Sequence, residues 1–267
     1  MKKALVLDID GTLTNSKKEI TSATRQAIQD LMKRGQKVIL ASGRPTPGML
    51  KYEKELELER YGGYLLSFNG ARIVDCYTGD IIYQRLLPLP LLPGLYRFAK
   101  DNGCGLITYL GDEVISAFPP DKYVELEACI NGLPVREVDN FTKFVDFDIN
   151  KCLMTAESEK AERLEQELRE QYSDRADIYR SEPYFIEVVP KNVNKAESLD
   201  KILPVLGVTR ENTVCCGDGF NDISMIKYAG VGVAMGNAQQ AVKEAADYVT
   251  ASNDEDGLIQ VIEKFFN

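Results

Sequence analysis

Histidine is missing from all 267 residues of the chain. That absence excludes a Ser-His-Asp triad, a histidine general base, a phosphohistidine nucleophile and a histidine-ligated zinc centre. Long apolar runs are missing as well. Val38 to Ala41 and Ile81 to Tyr83 are among the longest, far below the roughly 20 residues that cross a bilayer. No membrane span is expected. The chain also reaches Asp8 before a signal-type apolar core of about 7 to 15 residues can develop, which points to the cytoplasm. Positive charge is in deficit, with 32 Lys and Arg against 41 Asp and Glu and a net charge of −9. A nucleic-acid binder needs a basic face, so that class is disfavoured, although local cations can still hold a small anion. The six cysteines show no C-x-x-C pair and no metal-ligand spacing, and read as reduced, mostly buried thiols. Carboxylates, lysine and oxygen-ligated metals remain for chemistry. Magnesium suits that inventory, because it takes one or two carboxylates together with substrate phosphate.

What is present begins at the first strand. Ala4-Leu5-Val6-Leu7 is a short apolar run, followed at once by Asp8-Ile9-Asp10-Gly11-Thr12. A period of two places the Asp8 and Asp10 side chains on one side, so the two carboxylates are expected to converge. Close carboxylates resist joint ionisation, and their pairing calls either for a cation between them or for one of them kept protonated. A second acidic constellation repeats the logic. Gly217-Asp218-Gly219-Phe220-Asn221-Asp222 directly follows the apolar Val214-Cys215-Cys216. There Asn221 or Asp222 is as readily a helix cap as a working group, whereas Asp218 has no such role. Ser42-Gly43-Arg44 follows another apolar run and offers hydroxyl and amide donors for a phosphate, and Lys195 heads a helix. Alone, each of these two is weak.

The order of elements is strand, helix, strand, helix, strand over Ala4 to Phe68, the pattern of a doubly wound α/β fold with a parallel sheet. Ligands gather at the carboxyl ends of such strands, where Asp8, Ser42 and Asn69 fall. The character changes near residue 85, where Pro88, Pro90 and Pro93 cluster, and the alternating pattern resumes after Pro190. The expected organisation is a Rossmann-like core of residues 1–84 and 190–267, split by an inserted α+β domain at 85–189.

With these motifs in order, the chain resembles a haloacid dehalogenase-superfamily phosphatase, and within it the Cof-type enzymes with a large cap inserted after the third core strand. The resemblance rests on Asp8-Ile9-Asp10-Gly11-Thr12, Ser42-Gly43-Arg44, Lys195 and Gly217-Asp218-Gly219-Phe220-Asn221-Asp222, and it covers essentially the whole chain. Ala196 departs from the glycine usual after the motif lysine. The resemblance implies a magnesium-dependent phosphatase acting on small phosphorylated metabolites such as sugar phosphates, through an aspartyl phosphate. It makes Asp8 the nucleophile and Asp10 the acid and base. Magnesium would be held by Asp8, the Asp10 backbone carbonyl and Asp218, with Asp222 one step behind. Phosphate would be bound by Lys195, the Ile9 amide, Ser42, Gly43, Arg44, Asn69 and Asn221, and the insert would act as a cap. The chemistry needs those cations: at an effective dielectric of 20, two unit charges 4 Å apart interact by roughly 4 kcal/mol, enough to oppose attack of a carboxylate on a phosphate dianion.

Three other classes share parts of this pattern. A sugar-phosphate mutase uses the same aspartyl phosphate. A phosphoacceptor signalling domain places its aspartate on a later strand and is about half as long. A dinucleotide oxidoreductase is suggested only by Gly230-Val231-Gly232 with Gly236, one residue out of register.

Overall fold

The structure is a computed structural model and describes residues 2–267. In chain order its strands are β1 (Ala4–Leu7), β2 (Lys37–Ala41), β3 (Tyr64–Ser67), β4 (Arg72–Asp75), β5 (Ile81–Gln84), β6 (Gly105–Leu110), β7 (Glu113–Ser116), β8 (Val135–Glu137), β9 (Cys152–Thr155), β10 (Ala176–Glu182), β11 (Phe185–Pro190), β12 (Thr213–Gly217), β13 (Val231–Ala234) and β14 (Tyr248–Val249). The chain divides into two compact units, one running up to Gln84 and resuming from Asn194 to Asn267, the other spanning Arg85–Val193.

The first unit is an eight-stranded sheet in the order β14-β13-β12-β1-β2-β3-β4-β5. From β14 to β3 every pairing is parallel. The centre of this sheet reads as continuous apolar sequence because both faces are covered. Leu5 and Leu7 pack with Val38, Leu40, Val214 and Cys216 against Ile28 and Leu31 of the helix Ser22–Lys33. Ala4 and Val6 face the other way, with Ile39 and Cys215, onto Leu199, Ile202 and Leu203 of the helix Lys195–Leu206. Each fully buried leucine contributes about 1.5–3 kcal/mol relative to exposure. The first helix starts where a cap is expected, since the Thr21 side chain accepts from the Thr24 amide.

Two features depart from the sequence reading. β3 stops at Ser67, and Phe68–Gly70 forms a 3₁₀ turn in which Phe68 and Asn69 both hold positive φ (+52° and +54°). Beyond it, β4 and β5 extend the sheet with antiparallel pairings, so the edge of the parallel sheet is a hairpin that the sequence left as connecting chain. The insert, which begins at Arg85, follows this hairpin. Arg72-Ile73-Val74-Asp75 is a short strand, partly buried except at the buried Ile73, and its two charged ends hid it.

The second unit is a six-stranded sheet, β10-β11-β9-β6-β7-β8, antiparallel except between β7 and β8. One face, with Leu106, Ile115, Met154, Ile186 and Val188, packs on Leu95, Phe98, Leu164 and Leu168 of the helices Leu92–Asn102 and Ser158–Tyr172. Among the described residues no helix is long and apolar enough to cross a membrane.

Candidate active site

The register of β1 and β12 brings the two acidic motifs together. Leu7 lies opposite Cys216, and the Asp8 amide donates to the Cys216 carbonyl at 3.0 Å. Asp8 and Asp218 therefore leave adjacent parallel strands on the same edge of the sheet. The turns after them are interlocked: Thr12 Oγ1 donates to Asp218 Oδ1 at 2.7 Å, and Gly11, at φ +86°, passes so close that a Cβ there would lie 2.3 Å from Asp218 Oδ2. Only glycine satisfies both demands.

Lys195 closes the cluster from the helix side. Its side chain is completely buried, and Nζ donates to Asp8 Oδ1 and Asp222 Oδ1, both at 2.6 Å. The helix begins at Lys195 because Asn194 caps it, accepting from the Glu197 amide, so Ala196 leaves that start intact. Ser198, one turn along, donates to the Gly70 carbonyl at 2.6 Å and fixes the helix against the turn that follows β3. Asp222 stands at the N-cap position of the helix Ile223–Tyr228, but its side chain makes no capping bond there. Its Oδ2 turns back to accept from the Asp218 and Gly219 amides at 3.0 and 2.9 Å, and its Oδ1 takes Lys195.

Carboxylate oxygens of Asp8, Asp218 and Asp222 all lie within 4.8 Å of one another. Three acids against one ammonium leave an excess of negative charge in a buried place, and the titration behaviour follows. Burial, then Asp222, raises Asp8 well above the ordinary carboxylate range, and Lys195 offsets this only in part. Burial pushes Asp218 up to about 6 against the Thr12 hydrogen bond that favours its charged form. Burial works against the Lys195 ammonium, but Asp222 and Asp8 outweigh it and hold the lysine charged. A divalent cation suits such a donor set, being hard, oxygen-seeking and of the charge that is lacking.

Asp10 does not converge with Asp8. β1 ends at Leu7, and the chain then turns, with the Leu13 and Thr14 amides donating to the Asp8 and Ile9 carbonyls at 3.2 and 3.0 Å. The two-residue period of a strand stops before it reaches Asp10. Its carboxylate instead accepts from Arg44 Nε at 2.7 Å, Arg44 Nη2 at 2.9 Å and Lys18 Nζ at 3.0 Å. Burial tends to raise this group, but the Arg44 and Lys18 cations prevail and hold it below its ordinary value. The Asp10 side chain is thus outside the three-acid cluster, which leaves its backbone carbonyl as the group the sequence reading gave to a metal.

The remaining expected residues form a polar chain across neighbouring strand ends. Ser42, after β2, accepts from the Arg44 amide at 3.2 Å, and its carbonyl takes the Asn69 amide at 2.9 Å. Gly43 lies against the Asn69 side chain, 3.2 Å from Nδ2 to where a Cβ would stand. Asn221 Nδ2 donates to Asn69 Oδ1 at 3.0 Å. Ile9 is fully buried and its carbonyl is held by Thr14. The sequence reading passed over Thr12, although it stands inside the first motif, and Lys18, which no motif marks.

Known proteins resemble this chain in sequence and fold. The family model described as haloacid dehalogenase-like hydrolase matches residues 5–262. The 5-amino-6-(5-phospho-D-ribitylamino)uracil phosphatase YcsE of Bacillus subtilis is 31% identical over 97% of this chain and 94% of its own length. Among solved structures, a haloacid dehalogenase-like hydrolase from Bacteroides thetaiotaomicron is 43% identical with a TM-score of 0.95, over 99% of both chains. A subclass IIB sugar phosphatase, BT4131, is 28% identical with a TM-score of 0.83, again over 99% of both chains. With a family match over nearly its whole length and the acidic turns set on neighbouring strand ends, this chain belongs to the haloacid dehalogenase-like hydrolases, as a Cof-type member.

Proposed function

We propose that the protein hydrolyses phosphate monoesters of small metabolites, with Asp8 as the nucleophile. The observation that carries this reading is the buried Lys195 bridging Asp8 and Asp222 beside Asp218, a cationic and acidic cluster at the strand ends with no structural duty that a hydrophobic core would not perform better. Asp8 attacks phosphorus in line, forming an aspartyl phosphate as the ester P–O bond breaks, and Asp10 gives a proton to the departing oxygen once it has let go of Arg44 and Lys18, which hold it charged in this structure. Asp10 then takes a proton from the water that hydrolyses the aspartyl phosphate, which returns Asp8. Lys195 neutralises charge on the phosphoryl group, and Ser42, the Gly43 amide, Asn221 and the Ile9 amide hold its oxygens. Asp222 orients Lys195 through the 2.6 Å contact. Arg44 and Asn69 border the same place, Arg44 through its grip on Asp10.

Asp8, Asp218 and the Asp10 carbonyl would hold the divalent cation for which magnesium is the natural candidate, since every donor is an oxygen. When bound, it supplies the positive charge that lets a carboxylate approach a phosphate dianion. For substrate class, the sugar phosphatase and the phosphoribitylamino-uracil phosphatase among the relatives favour a phosphorylated sugar or polyol derivative. The mutase reading shares every step up to the aspartyl phosphate. Incubation with a sugar phosphate separates the two, because a phosphatase releases inorganic phosphate and a mutase retains it. The central test is p-nitrophenyl phosphate hydrolysis by Asp8→Asn. Turnover should vanish, and undiminished turnover would remove Asp8 from the mechanism.

A further inference from the structure

The turn that follows β13 touches both acidic turns at once. Its backbone is tied to the second of them: the Met235 amide donates to the Gly217 carbonyl at 3.0 Å, and the Gln239 amide to the Asp218 carbonyl at 3.2 Å. Between those anchors Asn237 reaches the first, its Nδ2 donating to the Gly11 carbonyl at 2.8 Å. Asn237 Oδ1 accepts from the Asn253 backbone amide at 3.0 Å, which fixes the plane of the side-chain amide and leaves Nδ2 facing Gly11. Asn253 donates in turn from its own Nδ2 to the Thr14 carbonyl at 2.8 Å, and Asp254 Oδ1 accepts from the Ser16 amide at 2.8 Å. The chain after Asp8 is thus held at Gly11, Thr14 and Ser16 by two neighbouring segments.

As a source of stability the Asn237 strap is weak, because its side chain is exposed and water would replace the hydrogen bond it makes. What it fixes is a spacing between backbones. Gly11 follows Asp10 directly, so a strap from the Asp218 backbone to the Gly11 carbonyl sets the separation of two groups assigned to the cation, the Asp218 carboxylate and the Asp10 carbonyl. The tight approach of Gly11 to Asp218 stops the two turns closing. Thr12 opposes their opening, but only through Asp218 Oδ1, an oxygen of the carboxylate that the cation also claims. Asn237 opposes opening without drawing on any carboxylate.

We infer that Asn237 is a positioning residue for the divalent cation, acting through the Gly11 backbone on the spacing of the cation's donors; this rests on the assignment of Asp8, Asp218 and the Asp10 carbonyl to that cation. Magnesium tolerates little departure from octahedral geometry, so a loosened spacing lowers its affinity. Asn237 itself is assigned no contact with substrate or reacting atoms. A site refilled by mass action should therefore turn over much as before, a split between metal affinity and turnover that general damage to the fold does not produce.

The experiment reads the magnesium dependence of the melting midpoint, and separately that of p-nitrophenyl phosphate hydrolysis, in the wild type, Asn237→Ala and Asn237→Gln. Asn237→Ala should need about tenfold more magnesium for the same rise in midpoint and for half-maximal hydrolysis, the low end of the roughly 10- to 100-fold lost when a group that orients metal ligands is removed. At saturating magnesium its kcat should stay within about twofold of the wild type, since excess cation refills the site. Asn237→Gln keeps an amide donor on an exposed side chain and should recover most of the affinity. An unshifted magnesium requirement, a fall in kcat at saturation in its place, a glutamine variant no better than alanine, or an alanine variant that does not fold would each overturn the assignment. Failure of the underlying reading looks different: the wild-type midpoint would then not rise with magnesium, or Asp218→Asn would keep the rise, and the inference would fall with it.

Discussion

Each of the two units buries one lysine among acids, and the surroundings of the two lysines differ in kind. In the core, Lys195 meets Asp8 and Asp222, with Asp218 close behind, one ammonium to three carboxylates. In the insert, Lys151 is 4% exposed and pairs with Glu187 at 3.0 Å, while Ser181 donates to the same carboxylate at 2.9 Å. The neighbouring Glu127 accepts from Tyr109 at 2.6 Å and from Asn131 at 2.9 Å, and burial raises it above its ordinary value, towards the neutral form. The second network sets one ammonium against two glutamates, one of them turned towards its neutral form by burial, and leaves Asn131 Oδ1 without a hydrogen-bond partner; the first sets one against three and so carries the larger surplus, which invites a cation and a substrate. A buried ion pair by itself says little about function. An imbalance beside donors that converge on one spot says a good deal.

The comparison breaks most readily on activity. Lys195→Met should lower kcat/KM for p-nitrophenyl phosphate by about a thousandfold, as removal of a preorganised charge from a phosphoryl-transfer site does. Lys151→Met should stay within about threefold where it remains folded, and equal losses would erase the distinction. Stability gives the converse result. Lys151→Met strands Glu187 in a buried place and should cost about 3–5 kcal/mol in urea unfolding, whereas replacing Lys151 and Glu187 together by apolar residues should cost much less. A double replacement as costly as the single one would show that the pair is not a self-contained unit.

Magnesium sharpens the contrast further. At a hundred times its dissociation constant it should stabilise the wild type by about 2.7 kcal/mol, read as a raised melting midpoint, and EDTA should remove both that rise and hydrolysis. Asp218→Asn should lose the rise and Lys151→Met should keep it. The smallest effect is on pH dependence. Because the folded state raises the Glu127 carboxyl above its ordinary value of 4.5, its contribution is complete below that value and is lost as pH rises through the folded one. Glu127→Gln keeps an acceptor for Tyr109 and Asn131 and cannot ionise. Its stability relative to the wild type should therefore grow as pH rises above 4.5, and a flat difference in urea midpoints would discount the burial of Glu127 as the cause.

The parallel sheet was legible because strands covered on both faces have to be written as unbroken apolar runs, as Ala4-Leu5-Val6-Leu7 and Val214-Cys215-Cys216 are. The acidic turns were legible because they sit directly behind such runs. The hairpin β4–β5 was not, since both strands are only four residues long and mostly part-exposed, with charges at the two ends of β4. The orientation of Asp10 escaped for a sharper reason. A strand's periodicity is a property of extended backbone, and the backbone turns right after Leu7, so a rule valid through position 7 says nothing of position 10. Lys18 was invisible because its reach depends on a left-handed residue braced by Asn15, a relation no pattern of residue types announces. Thr12 could have been found: a hydroxyl inside the first acidic motif, two residues after Asp10, is a donor set among carboxylates.

The close pass of Gly11 by Asp218 carries a consequence for drift in this lineage. Every substitution of glycine adds at least a methyl, and here even a methyl would overlap an oxygen. The two acidic turns are therefore in contact through a gap one hydrogen wide: neither can move towards the other without pushing it back.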